Sequence, residues 1–235
     1  ISSLGYTIDS GADFAEIDVQ ETQDGELVLL HDNSLKRTAG VNKNVWEMNY
    51  AEIEKLDAGS SFHKKFRGEK IPTLDEVLKF CKGRLDLNIE IKYNGKNKGI
   101  VKKVVRVIEQ NGFEDHCVIT SMNYGFLQQV KKANPNIRTG YIMTMTYGSI
   151  SRITAADFFS VKYTYIDEEF VREAHSLGKE VHAWTVNYRG DIKRMMDVGV
   201  DNIITDNPVL VRKVMNRESE TETGFWELMK YALRI

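Results

Sequence analysis

The sequence is poor in cysteine, in long apolar runs and in net charge. Its 235 residues include two cysteines, Cys81 and Cys117, whose spacing is typical neither of a metal site nor of a disulfide framework, so we expect buried thiols. No uninterrupted apolar run reaches the roughly 18 to 20 residues that span a bilayer, and no signal peptide is visible at Ile1. The net charge of -2 gives no general attraction to nucleic acid or anionic lipid. Any binding is therefore expected at a local site.

The order of apolar patterns predicts an α/β fold. With 42% hydrophobic and 28% charged residues, the chain fits one large globular domain. Seven β-rich apolar runs alternate with stretches whose apolar residues recur at helical spacing. This repeated β-α order predicts a parallel sheet with helices outside, and at this length a closed β/α (TIM) barrel. The seven predicted strands cover residues 14–19, 85–91, 117–120, 139–143, 158–161, 181–186 and 203–205.

The predicted barrel is incomplete at its start. Seven strands do not close a barrel of eight, and the opening helix has no strand before it, so we expect the first strand upstream of residue 1. We expect the barrel over residues 1–216, with an insertion after the second strand over about residues 34–72. That insertion is either a solvated loop or a substrate lid. Residues 217–235 are predicted to form a polar linker and an amphipathic tail that docks on the barrel or on a partner.

Two acidic residues share one face of the first predicted strand. Side chains alternate across a strand, so Glu16 and Asp18 point together while Ile17 and Val19 take the other face. Apolar residues are needed against the outer helices, which places the carboxylates inside. A cation would relieve their repulsion and desolvation, and an all-oxygen site suits Mg²⁺ or Ca²⁺ better than zinc. The alternative is a salt-bridged pair at a barrel end.

The next predicted strand adds a third carboxylate. Its polar residues alternate with apolar ones, and Glu90 and Lys92 lie nearest the carboxyl end, where barrel chemistry occurs. Lys92 would then lie within reach of a phosphate or a developing oxyanion. The alternative is that Lys92 neutralises Glu90 or Asp86.

A predicted hairpin brings a histidine to the acidic pair. Asp24-Gly25 is typical of a two-residue turn. In that register, residues whose numbers sum to 49 face each other, so Asp18 pairs with His31 at a Cβ separation of roughly 4.5 to 5.5 Å. An imidazole beside carboxylates and a metal suits proton transfer near neutral pH. The alternative is a structural histidine.

Trp184 is a candidate for contact with the organic part of a substrate. It shares a strand face with His182, and its alternative is a core tryptophan. We expect His182 to be a core residue and Asp206 to be a turn or cap residue. We assign no role to the remaining histidines, which are His63, His116 and His175.

Eight segments, in order, resemble the glycerophosphodiester phosphodiesterase family. Together they extend over about residues 1–215, and their joint occurrence is highly specific. The segments are GADFAEIDV (residues 11–19), TQDG (22–25), HD (31–32), RT (37–38), IPTL (71–74), NIEIK (88–92), WTVN (184–187) and GVDNIITDNP (199–208). The resemblance implies a β/α barrel with a small insertion after the second strand. It also implies one divalent cation, Ca²⁺ or Mg²⁺, held by Glu16, Asp18 and Glu90.

The same resemblance implies roles for three more residues. His31 would be one of two catalytic histidines, Lys92 would lie at the phosphate, and Trp184 would lie near the glycerol end. The reaction would be metal-dependent hydrolysis of a small-molecule glycerophosphodiester to an alcohol and glycerol 3-phosphate by acid-base catalysis. The alternatives are a non-catalytic barrel that binds a phosphodiester, and a related phospholipase D-like barrel enzyme.

One part of the family pattern has no match. The family begins with a His-Arg-Gly strand and a Glu-Asn-Thr segment, neither of which precedes Ile1, so we expect upstream sequence. Without it the chain would lack half of the acid-base pair and would be inactive. We expect no nucleic-acid partner, and membrane association only through sequence upstream of residue 1. The compartment stays open between cytoplasmic and, with an upstream signal or membrane domain, extracytoplasmic, and so does the oligomeric state.

Overall fold

The computed structural model describes residues 1–145 and 149–216. The predicted C-terminal tail, residues 217–235, lies outside these ranges. Within them, no helix is long and apolar enough to cross a bilayer. The described residues form two compact units, the first over residues 1–143 and 149–160 and the second over residues 144–145 and 161–216.

The first unit is a sheet with helices between its strands. Its strands follow the order β2-β1-β3-β4-β5, and only the β1–β2 pair is antiparallel. The parallel pairing of β1, β3, β4 and β5 confirms the α/β prediction for this part of the chain. The elements are α1 (Ser2–Asp9), β1 (Phe14–Glu21), β2 (Leu27–Leu29), α2 (Lys36–Ala39), α3 (Tyr50–Ile53), α4 (Leu74–Cys81), β3 (Asp86–Ile91), α5 (Ile100–Asn111), β4 (Cys117–Ser121), α6 (Tyr124–Ala133), β5 (Arg138–Met143) and the start of β6 (Phe158–Lys162).

The apolar core of the first unit fixes which way the strands face. Ile17 and Val19 of β1 and Ile89 of β3 are buried in one cluster with the helices. In α5 the buried residues recur at three- and four-residue spacing, as in Val101, Val104, Val105 and Ile108, so one stripe of the helix faces the sheet. Because strand side chains alternate, this packing turns the even-numbered residues of β1 and β3 to the opposite face.

The second unit continues the same alternation. It contains α7 (Glu168–Ser176), β7 (Glu180–Trp184), α8 (Arg189–Asp197) and β8 (Asn202–Ile203). The strands β7 and β8 pair in parallel, with His182 opposite Asn202. The Asp167 side chain caps α7 by accepting from the Phe170 backbone N–H at 2.8 Å. Each of the seven predicted runs thus overlaps a strand. The further strand, β2, forms the hairpin with β1.

The insertion contains no strand, as predicted, but it is not simply a solvated loop. It holds α2, α3 and two 3₁₀ turns, Val45–Glu47 and Lys64–Phe66. Its buried apolar residues pack with β2 and the residue that follows it into a separate cluster, so the insertion is anchored to the chain just before His31. The cluster consists of Val28, Leu30, Leu35, Val45, Met48, Ile53 and Ile71.

The hairpin between β1 and β2 has a three-residue loop, which the sequence-based prediction got wrong. Thr22 pairs with Glu26, since the Thr22 backbone N–H donates to the Glu26 carbonyl at 2.9 Å. The Thr22 hydroxyl accepts from Glu26 N at 3.0 Å and donates to Asp24 Oδ1 at 2.5 Å. Gly25 has φ of +90°, a conformation that glycine adopts without steric cost. These contacts favour the longer loop over a two-residue turn.

The longer loop shifts the register by one residue. Val19 faces Leu29, and Leu30 N donates to the Asp18 carbonyl at 3.0 Å. Leu30 therefore lies opposite Asp18, and the predicted pairing of Asp18 with His31 is wrong. His31 instead follows the end of β2, where its backbone is no longer part of the ladder.

We expect Gly140 in β5 to tolerate no larger residue. A Cβ atom at Gly140 would overlap the Phe158 ring, so Gly140→Ala should lower the free energy of unfolding by about 1–3 kcal/mol. Gly5 in α1 is the matched control because a Cβ there meets nothing within 4 Å, and Gly5→Ala should raise stability by about 0.4–1 kcal/mol. Urea unfolding of both variants measures this difference, and equal changes of the same sign would contradict it.

Candidate active site

Three carboxylates meet on the polar face of β1 and β3. The parallel register sets Asp18 beside Glu90 and Glu16 beside Asn88. One oxygen from each of Glu16, Asp18 and Glu90 can be chosen so that all lie within 4.8 Å of one another. This is the set of carboxylates expected from the alternation of polar and apolar residues, and its spacing is compatible with one shared cation.

Lys92 supplies the positive charge beside the carboxylates. Its Nζ lies 2.7 Å from Asp18 Oδ1 and 2.8 Å from Glu90 Oε1. Burial lowers the pKa of Lys92, but its contacts with Asp18 and Glu90 outweigh that effect and raise it. Lys92 therefore also acts as a counter-charge to Glu90, which was the alternative prediction. Asp86, the other carboxylate named in that alternative, has its Oδ1 3.0 Å from His116 Nδ1. One ammonium cannot balance three ionised carboxylates.

One buried carboxylate oxygen at the centre of the site is incompletely satisfied. Asp18 Oδ1 is buried, and the Lys92 ammonium 2.7 Å away contacts it as an ion pair without the angle of a regular hydrogen bond. A buried carboxylate oxygen left in this way is unfavourable. An oxygen-preferring divalent cation such as Mg²⁺ or Ca²⁺ would satisfy it, so the residues present fit such an ion.

The pKa values of two carboxyl groups reflect this crowding. The pKa of Glu16 is raised to about 8, first by burial and then by the charges of Asp18 and Glu90, with Lys92 opposing. Glu16 is nevertheless exposed to solvent by its accessible surface, so a cation could reach its carboxylate. Burial also raises the pKa of Glu90, against the opposing effect of Lys92. Both groups would release protons more readily beside a cation.

His31 is oriented by a carboxylate that follows it. Its Nδ1 lies 2.9 Å from Asp32 Oδ1, and Arg37 Nε lies 2.6 Å from Asp32 Oδ2. Hydrogen bonds from Arg37 and His31 lower the pKa of Asp32 to about 2. An ionised carboxylate only accepts hydrogen bonds, so Nδ1 carries the proton and Nε2 is left for exchange. The side chain of His31 is 67% exposed, and its charge lowers the pKa of Glu90, so it lies within electrostatic range of the cluster.

Gln20 holds the backbone of His31, and sequence reasoning missed it. Gln20 is fully buried and belongs to the same face of β1 as Glu16 and Asp18. Its side-chain amide donates to the carbonyls of Leu30 at 2.9 Å and Asp32 at 2.7 Å, with a longer contact of 3.4 Å to His31 O. These bonds replace the strand pairing that ends at Leu29. The available signal was that Gln20 continues the polar alternation of β1.

The candidate residues of the second unit have mixed surroundings. Trp184 is half-buried at the end of β7, and its buried Nε1 has no hydrogen-bond partner in the described part of the chain. His182 is buried, and its Nε2 lies 3.1 Å from Glu180 Oε2, as expected of a core histidine. Asp206 Oδ2 accepts from Asn187 Nδ2 at 2.6 Å, a local turn contact.

The other histidines have local partners that explain them. His63 Nδ1 accepts from the Lys65 backbone N–H at 3.2 Å and caps the 3₁₀ turn. His175 Nε2 lies 2.9 Å from Asp201 Oδ2, and His116 pairs with Asp86. Cys81 and Cys117 are buried free thiols, as predicted.

Comparison with known proteins identifies the family. Residues 1–210 match the model of the glycerophosphoryl diester phosphodiesterase family. A glycerophosphodiester phosphodiesterase of Caldanaerobacter subterraneus subsp. tengcongensis is 37% identical over 224 residues, or 91% of each chain. One of Bacillus altitudinis is 33% identical and covers 86% of each chain. A solved phosphodiesterase of Oleispira antarctica, in complex with sn-glycerol-3-phosphate, is 24% identical with a TM-score of 0.82, covering 92% of this chain and 90% of its own. That likeness supports the β/α-barrel fold, and the family match shows that the chain belongs to the glycerophosphoryl diester phosphodiesterase family.

Proposed function

We propose that the chain hydrolyses a glycerophosphodiester to an alcohol and glycerol 3-phosphate, with one divalent cation held by Glu16, Asp18 and Glu90. Its family makes it a glycerophosphodiester phosphodiesterase, a phosphoric diester hydrolase. The observation that supports the metal-dependent form of the reaction is the cluster of three carboxylates, in which one oxygen of each lies within 4.8 Å of the others. When bound, Mg²⁺ or Ca²⁺ would supply positive charge that polarises the phosphate.

Lys92 is proposed to bind the phosphate on the same side as the carboxylates. Its contacts with Asp18 and Glu90 fix the ammonium at 2.7 and 2.8 Å and keep its pKa raised, so it stays charged through the neutral range. An ammonium held in place before the substrate arrives stabilises developing negative charge without reorganisation.

His31 is proposed to transfer a proton through Nε2. Its Nδ1 is committed to Asp32, and its backbone is held by Gln20. The exposed imidazole can therefore reach a bound substrate while its ring orientation stays restricted. The contact of Trp184 with the organic part of a substrate stays a sequence-based prediction.

Removing a carboxylate should weaken cation binding. We expect Glu16→Gln and Glu90→Gln each to weaken Mg²⁺ or Ca²⁺ binding at least tenfold in calorimetric titration, because each amide removes one anionic ligand. Turnover of glycerophosphocholine by the full-length protein should fall at least a hundredfold. Asp86→Asn is the matched control, since Asp86 lies on the same strand but pairs with His116. Retained metal-dependent activity in both Gln variants would refute the assignment.

The histidine and its partner should affect rate rather than metal affinity. We expect His31→Ala to lower kcat at least a hundredfold, and Asp32→Asn to lower it roughly 10- to 100-fold, with metal affinity unchanged within twofold. A change confined to thermal stability, with kcat unaltered, would show that Asp32 is only structural.

The raised pKa of Glu16 predicts an unusual pH dependence of stability. Between its ordinary value of 4.5 and about 8, the folded protein retains a proton that the unfolded chain has released. Stability in the presence of a chelator should therefore fall as pH rises through this range. A cation binds the ionised carboxylates, so the increase in Tm produced by Mg²⁺ or Ca²⁺ should grow with pH.

Differential scanning fluorimetry across this pH range measures both effects. Glu16→Gln should flatten the decline in chelator, whereas Glu54→Gln, an exposed change at the end of α3, should follow the unaltered protein. Parallel curves for the unaltered chain and Glu16→Gln would contradict the raised pKa.

A further inference from the structure

A loop of the insertion combines an exposed phenylalanine with three cations. Residues 60–68, here called the basic loop, contain Lys64, Lys65 and Arg67 and no acidic residue. Phe62 is 83% exposed, the highest value among the large apolar side chains of the described residues. The rest of the insertion buries its apolar residues in a cluster, so this exposure is a local exception.

Hydrogen bonds hold the basic loop in shape. One carboxylate, that of Asp57, accepts from the backbone N–H groups of Gly59 and Ser60 at 2.9 Å and of Gly68 at 3.0 Å. These bonds lower the pKa of Asp57 well below its usual range. The carboxylate thus joins the two ends of the loop, and the tip is presented on an ordered base.

The tip groups its aromatic and basic side chains together. The rings of Phe62 and Phe66 have centroids 5.7 Å apart, and Lys65 Nζ lies 4.7 Å from the Phe66 centroid. Phe66 is half-buried, whereas Phe62, Lys64 and Lys65 are exposed. The result is an apolar point flanked by positive charge.

We propose that the basic loop docks on an anionic phospholipid surface. Phe62 has no polar atom to satisfy and would gain by entering the boundary between headgroups and acyl chains. The three cations would lie near lipid phosphates, where each contributes a factor of roughly five to the partition constant. One aromatic residue with three cations is too small a patch for a stable protein interface, which takes about 800 Å² from each partner. The small area of the patch and its positive charge together favour an anionic lipid surface as the partner.

The basic loop is linked by contacts to the acid-base side of the site. Ser61 Oγ donates to the Thr38 carbonyl at 2.7 Å, and Thr38 follows Arg37, which contacts Asp32 and through it His31. Docking would thus bring this edge of the first unit to the lipid surface. It would also provide membrane association through the chain itself, unlike the prediction that only upstream sequence could supply it. The docking does not depend on the proposed function, since it is measured as binding.

Vesicle sedimentation with the full chain tests the proposal. Vesicles of phosphatidylcholine alone are compared with vesicles in which about a third of the lipid is phosphatidylglycerol. We expect at least tenfold stronger partitioning into the anionic vesicles, and a loss of that preference at high salt, where screening weakens exposed charges. Phe62→Ser and the double change Lys64→Gln with Lys65→Gln should each lower partitioning at least fivefold.

Matched changes elsewhere serve as controls. Tyr6→Ser replaces another exposed aromatic residue, on α1, and Lys102→Gln with Arg106→Gln removes two exposed cations from α5; both should partition like the unaltered protein. Equal binding to the two vesicle types, an equal loss in the controls, or a Phe62→Ser change that alters only self-association in sedimentation velocity would overturn the proposal. The salt titration of the unaltered protein gives a decisive result even where a variant folds poorly.

Discussion

The parallel pairing of β1 with β3 is the interaction on which the candidate site depends. The hydrogen-bond ladder that sets Ile17 beside Ile89 for burial against the helices also sets Asp18 beside Glu90 on the other face. Core and site therefore share one register. A slip of one residue would turn the carboxylates toward the apolar cluster and the isoleucines toward the site, so the packing of the core specifies the geometry of the acids.

This arrangement leaves the site electrostatically unfavourable on its own. Burial and mutual repulsion raise the pKa values of Glu16 and Glu90, and Lys92 compensates only part of the negative charge. The apolar strands and helices around the cluster must offset that unfavourable energy. A site of this kind gains most from a ligand of opposite charge, which links the stability of the first unit to the occupancy proposed for it.

The sequence was sufficient for the order of the parallel strands and for the acidic face, because both follow from periodicity. It was not sufficient for the position of His31, because the three-residue loop depends on the Thr22 hydroxyl and on the conformation of Gly25. Gln20 was missed because an amide on a polar strand face is unremarkable in sequence, and its contacts lie ten to twelve residues away. The apolar cluster of the insertion was missed because its members are scattered between Val28 and Ile71 without a single periodicity.

Crystals of the protein grown with Mn²⁺, an oxygen-binding substitute for Mg²⁺, would test the central claim most directly through anomalous scattering. One anomalous peak is expected, within about 2.0–2.6 Å of a carboxylate oxygen from each of Glu16, Asp18 and Glu90. A peak at other residues would contradict the proposed metal site. So would the absence of a peak beside these three carboxylates in a crystal grown at saturating Mn²⁺.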